Sequence, residues 1–567
     1  MEEKQNRYVI GVDGGTTAVK AVAFDMTGGV AAVHSERVPV EYGERGQAEQ
    51  DMESIWQAVA ACLRQVVAEL GDGVEILAVG LTGQGDGLWL LEGDGHPVRK
   101  AAIWLDGRAA ERVEEWNRSG KAEAVLNTTQ TTTFPGLAPV LLEELREAEP
   151  DAIARAATLL YCKDWLRYRL TGELSTDFTE ASRNFLDVRT AAGYSAELAR
   201  ALGMEEAIGL LPPVRRADAL GGRVSADAAA ETGLPVGTPV GMGMIDVAVT
   251  GNGLGAINNG DGWLILGTTG FVGVLRADAT ARSSENSMVL ATGRGTQVLE
   301  FFAPMTGTPN LEWIRSTLGL EELTWGEIES MARTVAPGSQ GVIYLPYASP
   351  GGERAPFQDT AASASWMGMS ITTNPAEILR SVYEGVAFSL LECVDVLQLT
   401  GELVVSGGGF RSDLMCEILA DASGQSVLRQ DAPEAGARGA AVLALVSAGV
   451  AVDVKAAAEM LATSLSRFEP DSTRRQRYRA VHEVYLRARE AIRPVWPQMR
   501  ALRADGTASG DDATGNTRAT AGATEAETAP ETGASPDATS ATETSLPAAD
   551  AAPTGRQSPS DKGMEGQ

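Results

Sequence analysis

The stretch Tyr8-Val9-Ile10-Gly11-Val12-Asp13-Gly14-Gly15-Thr16-Thr17-Ala18-Val19-Lys20 decides how the rest of the chain is read. An apolar run ends in one acid, two glycines and two threonines, and a second strand-like run continues through Phe24. Two such runs about a Gly-rich turn predict a β-hairpin. A buried strand that stops at Asp13 holds a carboxylate at a fixed point. Glycines at the turn let backbone N–H groups approach anionic oxygens with no Cβ in the way. Thr16, Thr17 and Lys20 add hydroxyl donors and a positive charge. Such a hairpin suits the phosphates of a nucleotide and a Mg2+ ion, although the same turn is also ordinary hairpin chemistry. It is neither of the commoner phosphate loops: the chain has no G-x-x-x-x-G-K-[ST], and no G-x-G-x-x-G opens a helix after the first strand.

The pattern recurs in the second half. Trp263-Leu264-Ile265-Leu266-Gly267-Thr268-Thr269-Gly270-Phe271-Val272-Gly273-Val274-Leu275 repeats the strand, Gly-Thr-Thr turn and strand. Two phosphate hairpins, one per half, predict two similar α/β domains facing each other across a nucleotide cleft. A length of 567 residues is ample for two cores. The expected division is 1–250, 251–500 and a tail over 501–567. The tail is mostly Ala, Thr, Gly, Ser, Pro and acid, with no aromatic, Val or Ile. Such a composition cannot bury enough apolar surface to offset its ordering entropy, so a disordered appendage is expected.

Between these landmarks, residues 8–40 read as a β-meander, Met52–Leu70 as a helix by its apolar spacing, and Val74–Thr82 as a strand. Val113–Asn117 and Val140–Arg169 read as mainly helical, and the meander pattern restarts at Gly262. Helices dominate from Pro375 to about Val495. Asn374, Pro375 and Glu377 form an N-cap, N1 and N3 signature for one of them. A third glycine cluster, Ser406-Gly407-Gly408-Gly409-Phe410-Arg411-Ser412, joins a strand to a helix. It allows a flat ligand to lie on the backbone, or it is a plain tight turn.

The net charge of −29 argues against nucleic acid as a partner. No apolar run approaches the ~20 residues of a membrane span. The charged N-terminus runs straight into a strand, and Cys62, Cys162, Cys393 and Cys416 are scattered, which points to a cytoplasmic protein with reduced thiols. His34, His96 and His482 stand apart from other candidate ligands, so a histidine metal site or a Ser-His-Asp triad is not expected.

Taken together, these parts resemble the FGGY family of carbohydrate kinases, in the superfamily of actin and the heat-shock chaperone ATPases, over roughly residues 8–495. Ala364-x-Trp366-x-Gly368-Met369, seven residues, then Glu377-Ile378-x-x-Ser381-Val382-Tyr383-Glu384-Gly385 fits that family's C-terminal signature. Tyr344–Tyr347 with Gly352–Phe357, Leu170–Glu173 and Trp104–Ala109 are further family-like blocks. The resemblance implies two actin-like (ribonuclease H-like) ATPase domains with a nucleotide cleft between them, and ATP and Mg2+ as cofactors.

By the same resemblance, Asp246, at the end of Gly241–Asp246, is the catalytic base, accepting the acceptor's hydroxyl proton. Asp13 organises the metal through its bound waters. Gly15, Thr16, Thr17 and Lys20 face phosphate oxygens from one domain, and Gly267, Thr268 and Thr269 from the other. Gly407, Gly408, Gly409 and Ser412 line the adenine and ribose end, and Asn310 approaches the nucleotide. The acceptor is expected at Thr82–Gly87, with Gln84 and Asp86 bonding vicinal hydroxyls, Gly85 admitting the substrate, Asp246 at the reacting hydroxyl, and Trp104 or Trp89 as an apolar wall. Gly85-Asp86 departs from the Arg-Glu of glycerol kinases and the usual Met-His of D-xylulose kinases. With Trp89 and Cys162–Leu166 it most resembles kinases for erythritol and L-xylulose. The family's first signature has a Lys and a Trp within the stretch filled here by Phe134–Val140, and both are missing. Expected partners are a small sugar or polyol, with no nucleic acid and no membrane, and a homodimer is left open. A D-xylulose or other pentulose kinase, a non-catalytic sugar sensor, and an actin- or chaperone-like binding protein are the alternatives.

Overall fold

The computed structural model describes residues 6–430 and 434–508. The predicted hairpin is present: β1 (Arg7–Gly14) and β2 (Ala18–Asp25) pair antiparallel with Asp13 opposite Lys20, and β3 (Val30–Arg37) completes the meander. β4 (Glu75–Gly83) adds parallel to β1. β5 (Leu220–Arg223) and β6 (Pro239–Gly241) extend the sheet to the order β5-β6-β4-β1-β2-β3. The helix between β3 and β4 is α1 (Met52–Leu70), with the bounds its periodicity predicts. Its N-cap Asp51 accepts from the Ser54 N–H, and Ile55, Trp56, Val59, Leu63 and Val66 are buried against the meander.

The second half repeats the plan. β7 (Gly262–Leu266) and β8 (Gly270–Arg276) form the second hairpin, and β9 (Met288–Ala291) and β10 (Val298–Phe302) finish the antiparallel part. β11 (Leu403–Ser406) lies parallel to β7, β12 (Val427–Gln430) parallel to β11, and β13 (Leu465–Phe468) closes the edge antiparallel. The order is β9-β10-β8-β7-β11-β12-β13. In each sheet a hairpin sits beside parallel strands with an antiparallel strand at the edge, which is the duplicated α/β arrangement the two Gly-Thr-Thr turns imply.

Three helices matter for the site. α2 (Asp246–Gly253) follows β6, and α3 (Pro375–Val396) is buried along most of its length with the predicted Asn374–Glu377 capping box. α4 (Ala435–Ser447), an Ala- and Gly-rich helix from the second half, lies on the first sheet. Gly11 on β1 is registered opposite Gly80 on β4, and Gly241 on β6 follows Val240, which pairs with Val79. A Cβ on Gly11 would stand 1.9 Å from the Ala437 carbonyl oxygen, one on Gly80 2.0 Å from that of Ala440, and one on Gly241 3.3 Å from Ala444 Cα. Residues 437, 440 and 444 share one helical face. Three glycines on three adjacent strands therefore make a trough for one face of the helix.

The segment Val140–Arg169 is less uniformly helical than its apolar spacing suggests. Helix Ala138–Ala148 ends at Glu149, Pro150 starts a new short helix, and Thr158–Leu160 pairs as a strand with Trp89–Leu91 before helix Cys162–Thr171. Pro150 has no N–H to continue the first helix. At the other end, helix α5 (Trp496–Ala508) occupies the first residues of the stretch read as a tail. Residues 509–567 of that reading lie outside the described residues. Among the described residues, no helix is long and apolar enough to cross a membrane.

The glycine trough makes a direct prediction. Gly80→Ala forces the helix off the sheet and is expected to destabilise by about 1–3 kcal/mol or more, read as a lower thermal unfolding midpoint. Gly93→Ala, where no heavy atom lies within 4 Å of the new Cβ, is expected to stay within about 0.5 kcal/mol of the parent.

Candidate active site

A cavity of about 440 Å3 is lined from the first half by Asp13, Thr16, Gln84, Gly85, Asp86, Trp104 and Asp246, and from the second by Gly267, Thr268 and Thr269. All ten are residues singled out in the sequence. Asp13 ends β1, and its Oδ2 would lie 3.0 Å from a Cβ at Gly436, in the first turn of α4. Among the described residues nothing donates a hydrogen bond to its carboxylate. Burial, opposed by Lys20 and reinforced by Glu434, raises its pKa to about 6.

Asp246 opens α2, where the helix N-terminus favours a negative side chain. The Val247 N–H donates to its Oδ1 at 2.6 Å. The approach to it is fixed on both sides: Thr82 Oγ1 donates to the Met244 carbonyl at 2.8 Å, and the Ile245 N–H donates to Thr179 Oγ1 at 3.0 Å. Burial raises the Asp246 pKa to about 7, with repulsion from Asp13 and Asp86 adding and the Val247 N–H opposing. Both carboxyls keep partial exposure and line the cavity.

The loop after β4 is wired to the first hairpin. The Gln84 N–H donates to the Gly14 carbonyl at 3.0 Å, and its Nε2 donates to Gln50 Oε1 at 2.6 Å. Thr16 Oγ1 donates to Gln84 Oε1 at 3.2 Å, and Trp104 Nε1 donates to Thr16 Oγ1 at 3.0 Å. Gln50 Nε2 holds the Thr16 carbonyl at 2.8 Å. Both ends of the Gln84 amide thus steady the Thr16 turn. A Cβ at Gly85 would meet Ile245 Cδ1 at 1.9 Å, so a larger residue there would have to turn aside the side chain that precedes Asp246.

Asp86 has φ 60° and forms a two-pronged ion pair with Arg183, Nε to Oδ1 at 2.8 Å and Nη2 to Oδ2 at 3.1 Å. Arg183 also donates to Thr131 Oγ1 at 3.1 Å and lies over the Phe134 ring, 5.6 Å from its centroid. Sequence reasoning gave Arg183 no role, since no periodicity or spacing links it to Asp86. The departure at Phe134 has a structural counterpart: Thr132, Thr133 and Phe134 form cavity wall. Arg354, quoted above only as part of a family-like block, lines it too.

Beneath the loop, Glu180 is fully buried, and neither carboxyl oxygen has a hydrogen-bond partner. Burial holds its pKa well above the usual carboxylate range, opposed by Lys163. Lys163 is itself engaged by Asp164 at 2.6 Å and Asp177 at 3.0 Å. Glu180 is therefore a buried acid under Gly85 whose charged form is disfavoured.

Other expected residues lie outside the cavity lining. Lys20 pairs with Glu434 at 2.9 Å. Gly15 and Thr17 sit on the same hairpin without lining the cavity. Gly407 and Gly409 abut the second hairpin, where a Cβ would stand 2.6 Å from the Leu266 carbonyl oxygen and 2.5 Å from Leu266 Cδ2, whereas a Cβ at Gly408 would have no neighbour within 4 Å. Ser412 caps the helix Asp413–Ser423 and donates to Glu329 Oε2 at 2.6 Å. Asn310 is buried, donating to the Gly307 carbonyl at 3.2 Å and accepting from the Tyr344 hydroxyl at 2.7 Å. Trp89 is fully buried in the core strand that pairs with Thr158–Leu160, so of the two tryptophans considered, Trp104 is the one on the cavity.

The sequence matches the N-terminal domain of the FGGY family of carbohydrate kinases over residues 8–253 and its C-terminal domain over residues 262–448. It is 33% identical over 519 residues to an erythritol kinase of Brucella abortus, covering 88% of this chain and 99% of that one. It is 29% identical over 491 residues to a probable L-xylulose kinase of Pasteurella multocida, covering 86% and 99%. The fold is that of a gluconate kinase of Lactobacillus acidophilus, with a TM-score of 0.80 at 24% identity over 87% of this chain and 99% of that one. Duplicated sheets, paired Gly-Thr-Thr turns and both halves of the family pattern agree: the chain belongs to the FGGY family of carbohydrate kinases.

Proposed function

We propose that this carbohydrate kinase transfers the γ-phosphoryl group of ATP to a hydroxyl of a small open-chain sugar or polyol, of the erythritol or L-xylulose type, with Asp246 as general base. The observation that carries this reading is the single cavity on which Asp246, the Asp86–Arg183 pair and the Gly267–Thr269 turn all open. In the step, the acceptor oxygen forms a bond to the γ-phosphorus as the bond to the β,γ-bridging oxygen breaks. The hydroxyl proton passes to the Asp246 carboxylate, and ADP leaves. The proposed working halves are residues 1–250, with the acceptor loop and first hairpin, and 251–500, with the second hairpin and the Gly407–Gly409 cluster.

Asp13 suits a Mg2+ ion, because its carboxylate faces the cavity with no protein donor bound to it. Among the described residues no three His, Cys, Asp or Glu side chains gather to hold a metal. A hard dication held by one carboxylate, phosphates and waters fits that donor set. Such an ion supplies charge neutralisation at the transferring phosphate. Asp13 and Asp246 both being in place favours an enzyme over a silent sugar sensor. Gly85-Asp86 favours the erythritol and L-xylulose type over D-xylulose. The four buried, unpaired cysteines accord with a reducing cytoplasm.

Asp246→Asn is expected to leave the ATP dissociation constant nearly unchanged while single-turnover phosphorylation falls by about 10²–10⁴-fold. The base works deprotonated, so kcat/KM for the acceptor is expected to fall as pH drops through about 7, the level to which burial raises Asp246. A dication held by Asp13 would place that limb at a lower pH. Asp86→Ala leaves Arg183, 3% exposed, as an unpaired buried cation. It is expected to raise the acceptor KM far more than the ATP KM, and its effect should be non-additive with Arg183→Met in a double-mutant cycle.

A further inference from the structure

Arg354 lies on the cavity wall contributed by the second half of the chain, in a loop held rigidly from below. The buried Glu353 carboxylate accepts from the Met305 N–H at 2.7 Å, the Arg354 N–H at 2.8 Å and the Thr306 hydroxyl at 3.1 Å. Arg354 Nε donates to the Ala303 carbonyl at 2.5 Å, which fixes the plane of the guanidinium. Its Nη1 and Nη2 have no hydrogen bond or ion pair among the described residues, although the side chain lines the cavity. A guanidinium carries five donors, and withdrawing it from water without partners is costly.

The other cavity arginine is in the opposite condition, since Arg183 is committed to Asp86 and Thr131. With Asp86 neutralised by Arg183, Arg354 leaves this end of the cavity short of acceptors. The charges that act on Arg354 are those of Glu353, Asp86 and Arg183. Arg354 lines the same cavity as Asp86 and lies within electrostatic reach of the Asp86–Arg183 pair, while its loop is anchored on residues 303–306, which also hold the second hairpin at Gly270.

We infer, on the acceptor class proposed above, that Arg354 is an acceptor-binding residue that sets specificity, its two Nη groups donating to the oxygens farthest from the hydroxyl that is phosphorylated. A three-carbon acceptor leaves those donors unpaired, whereas one of four or five carbons satisfies them. A site built to bond a substrate hydroxyl rejects the analogue that lacks it.

The test compares kcat/KM for erythritol, L-xylulose and glycerol in the full-length enzyme and in Arg354→Gln and Arg354→Lys. In the Gln variant the preference for the longer acceptors over glycerol is expected to shrink about 10- to 100-fold, the range of charge-assisted hydrogen bonds. The ATP KM should move less than twofold, and Lys, which keeps the charge and one donor group, should restore part of the preference. If the Gln variant does not fold, the Lys variant carries the same comparison with a smaller loss. An unchanged preference in a folded variant overturns the inference, as does an ATP KM that rises more than the acceptor KM. A wild-type enzyme that phosphorylates no four- or five-carbon acceptor overturns the proposed acceptor class, and this inference with it.

Discussion

The close approach of helix α4 to the first sheet is the contact on which the geometry of the site depends. Neighbouring strands lie about 4.8 Å apart, and a helix advances about 1.5 Å per residue. A helix crossing three strands therefore presents a new contact residue every three to four positions. Ala437, Ala440 and Ala444 have that spacing, and Gly11, Gly80 and Gly241 clear the ground beneath them. On its other side, Gly439 meets the Val249 carbonyl oxygen and Gly253 meets that of Ala435, each with room for no Cβ. One helix is thus wedged between the sheet that ends in Asp13 and the helix that begins with Asp246. Any side chain added along these contacts moves both carboxyls.

That wedge also explains why two acids can face one cavity. Burial raises the pKa of both Asp13 and Asp246, and repulsion from Asp13 adds to the cost of ionising Asp246. Lys20 opposes part of this cost at Asp13; a dication held by Asp13 would favour the ionised form of both acids, and in the proposed mechanism that would ready Asp246 to accept a proton. The Lys20–Glu434 ion pair joins β2 to the residue preceding α4, so the helix that seats Asp246 also carries the counter-charge for the hairpin.

The fold was largely legible because its signals are local. The Asp13 hairpin, its Gly267 copy, the bounds of α1 and the Asn374 cap follow from turn chemistry and periodicity within a few residues. The segment Val140–Arg169 was misjudged in detail because Thr158–Leu160 becomes a strand only by pairing with Trp89–Leu91, a contact that no local pattern encodes. The site divides the same way. Residues on motif loops, such as Gln84 and Asp246, were identifiable, and the cavity gathers them. Arg183, Arg354 and the buried Glu180 were not, because each stands out through a partner or a missing partner distant in sequence.

The division of charge within the cavity links these observations. One end carries Asp13 and Asp246, which suits a dication with phosphates and a hydroxyl about to lose its proton. Asp86 balanced by Arg183 lines the same cavity, with Arg354 and its idle donors on the wall from the second half, which suits a chain of neutral oxygens more than a bare hydrocarbon. Trp104, held by Thr16, and Phe134, under Arg183, supply apolar faces between them. In the proposed reading the phosphate end is built from the turns that recur in both halves, and the acceptor end from residues 84–87, where Gly85-Asp86 departs from the glycerol and D-xylulose patterns, with Phe134, the first residue of the stretch that departs from the family's first signature, on the cavity wall. On that reading, substrate choice is carried by loop residues whose side chains face the cavity, while the glycine trough lies on the far side of β1, β4 and β6 beneath helix α4.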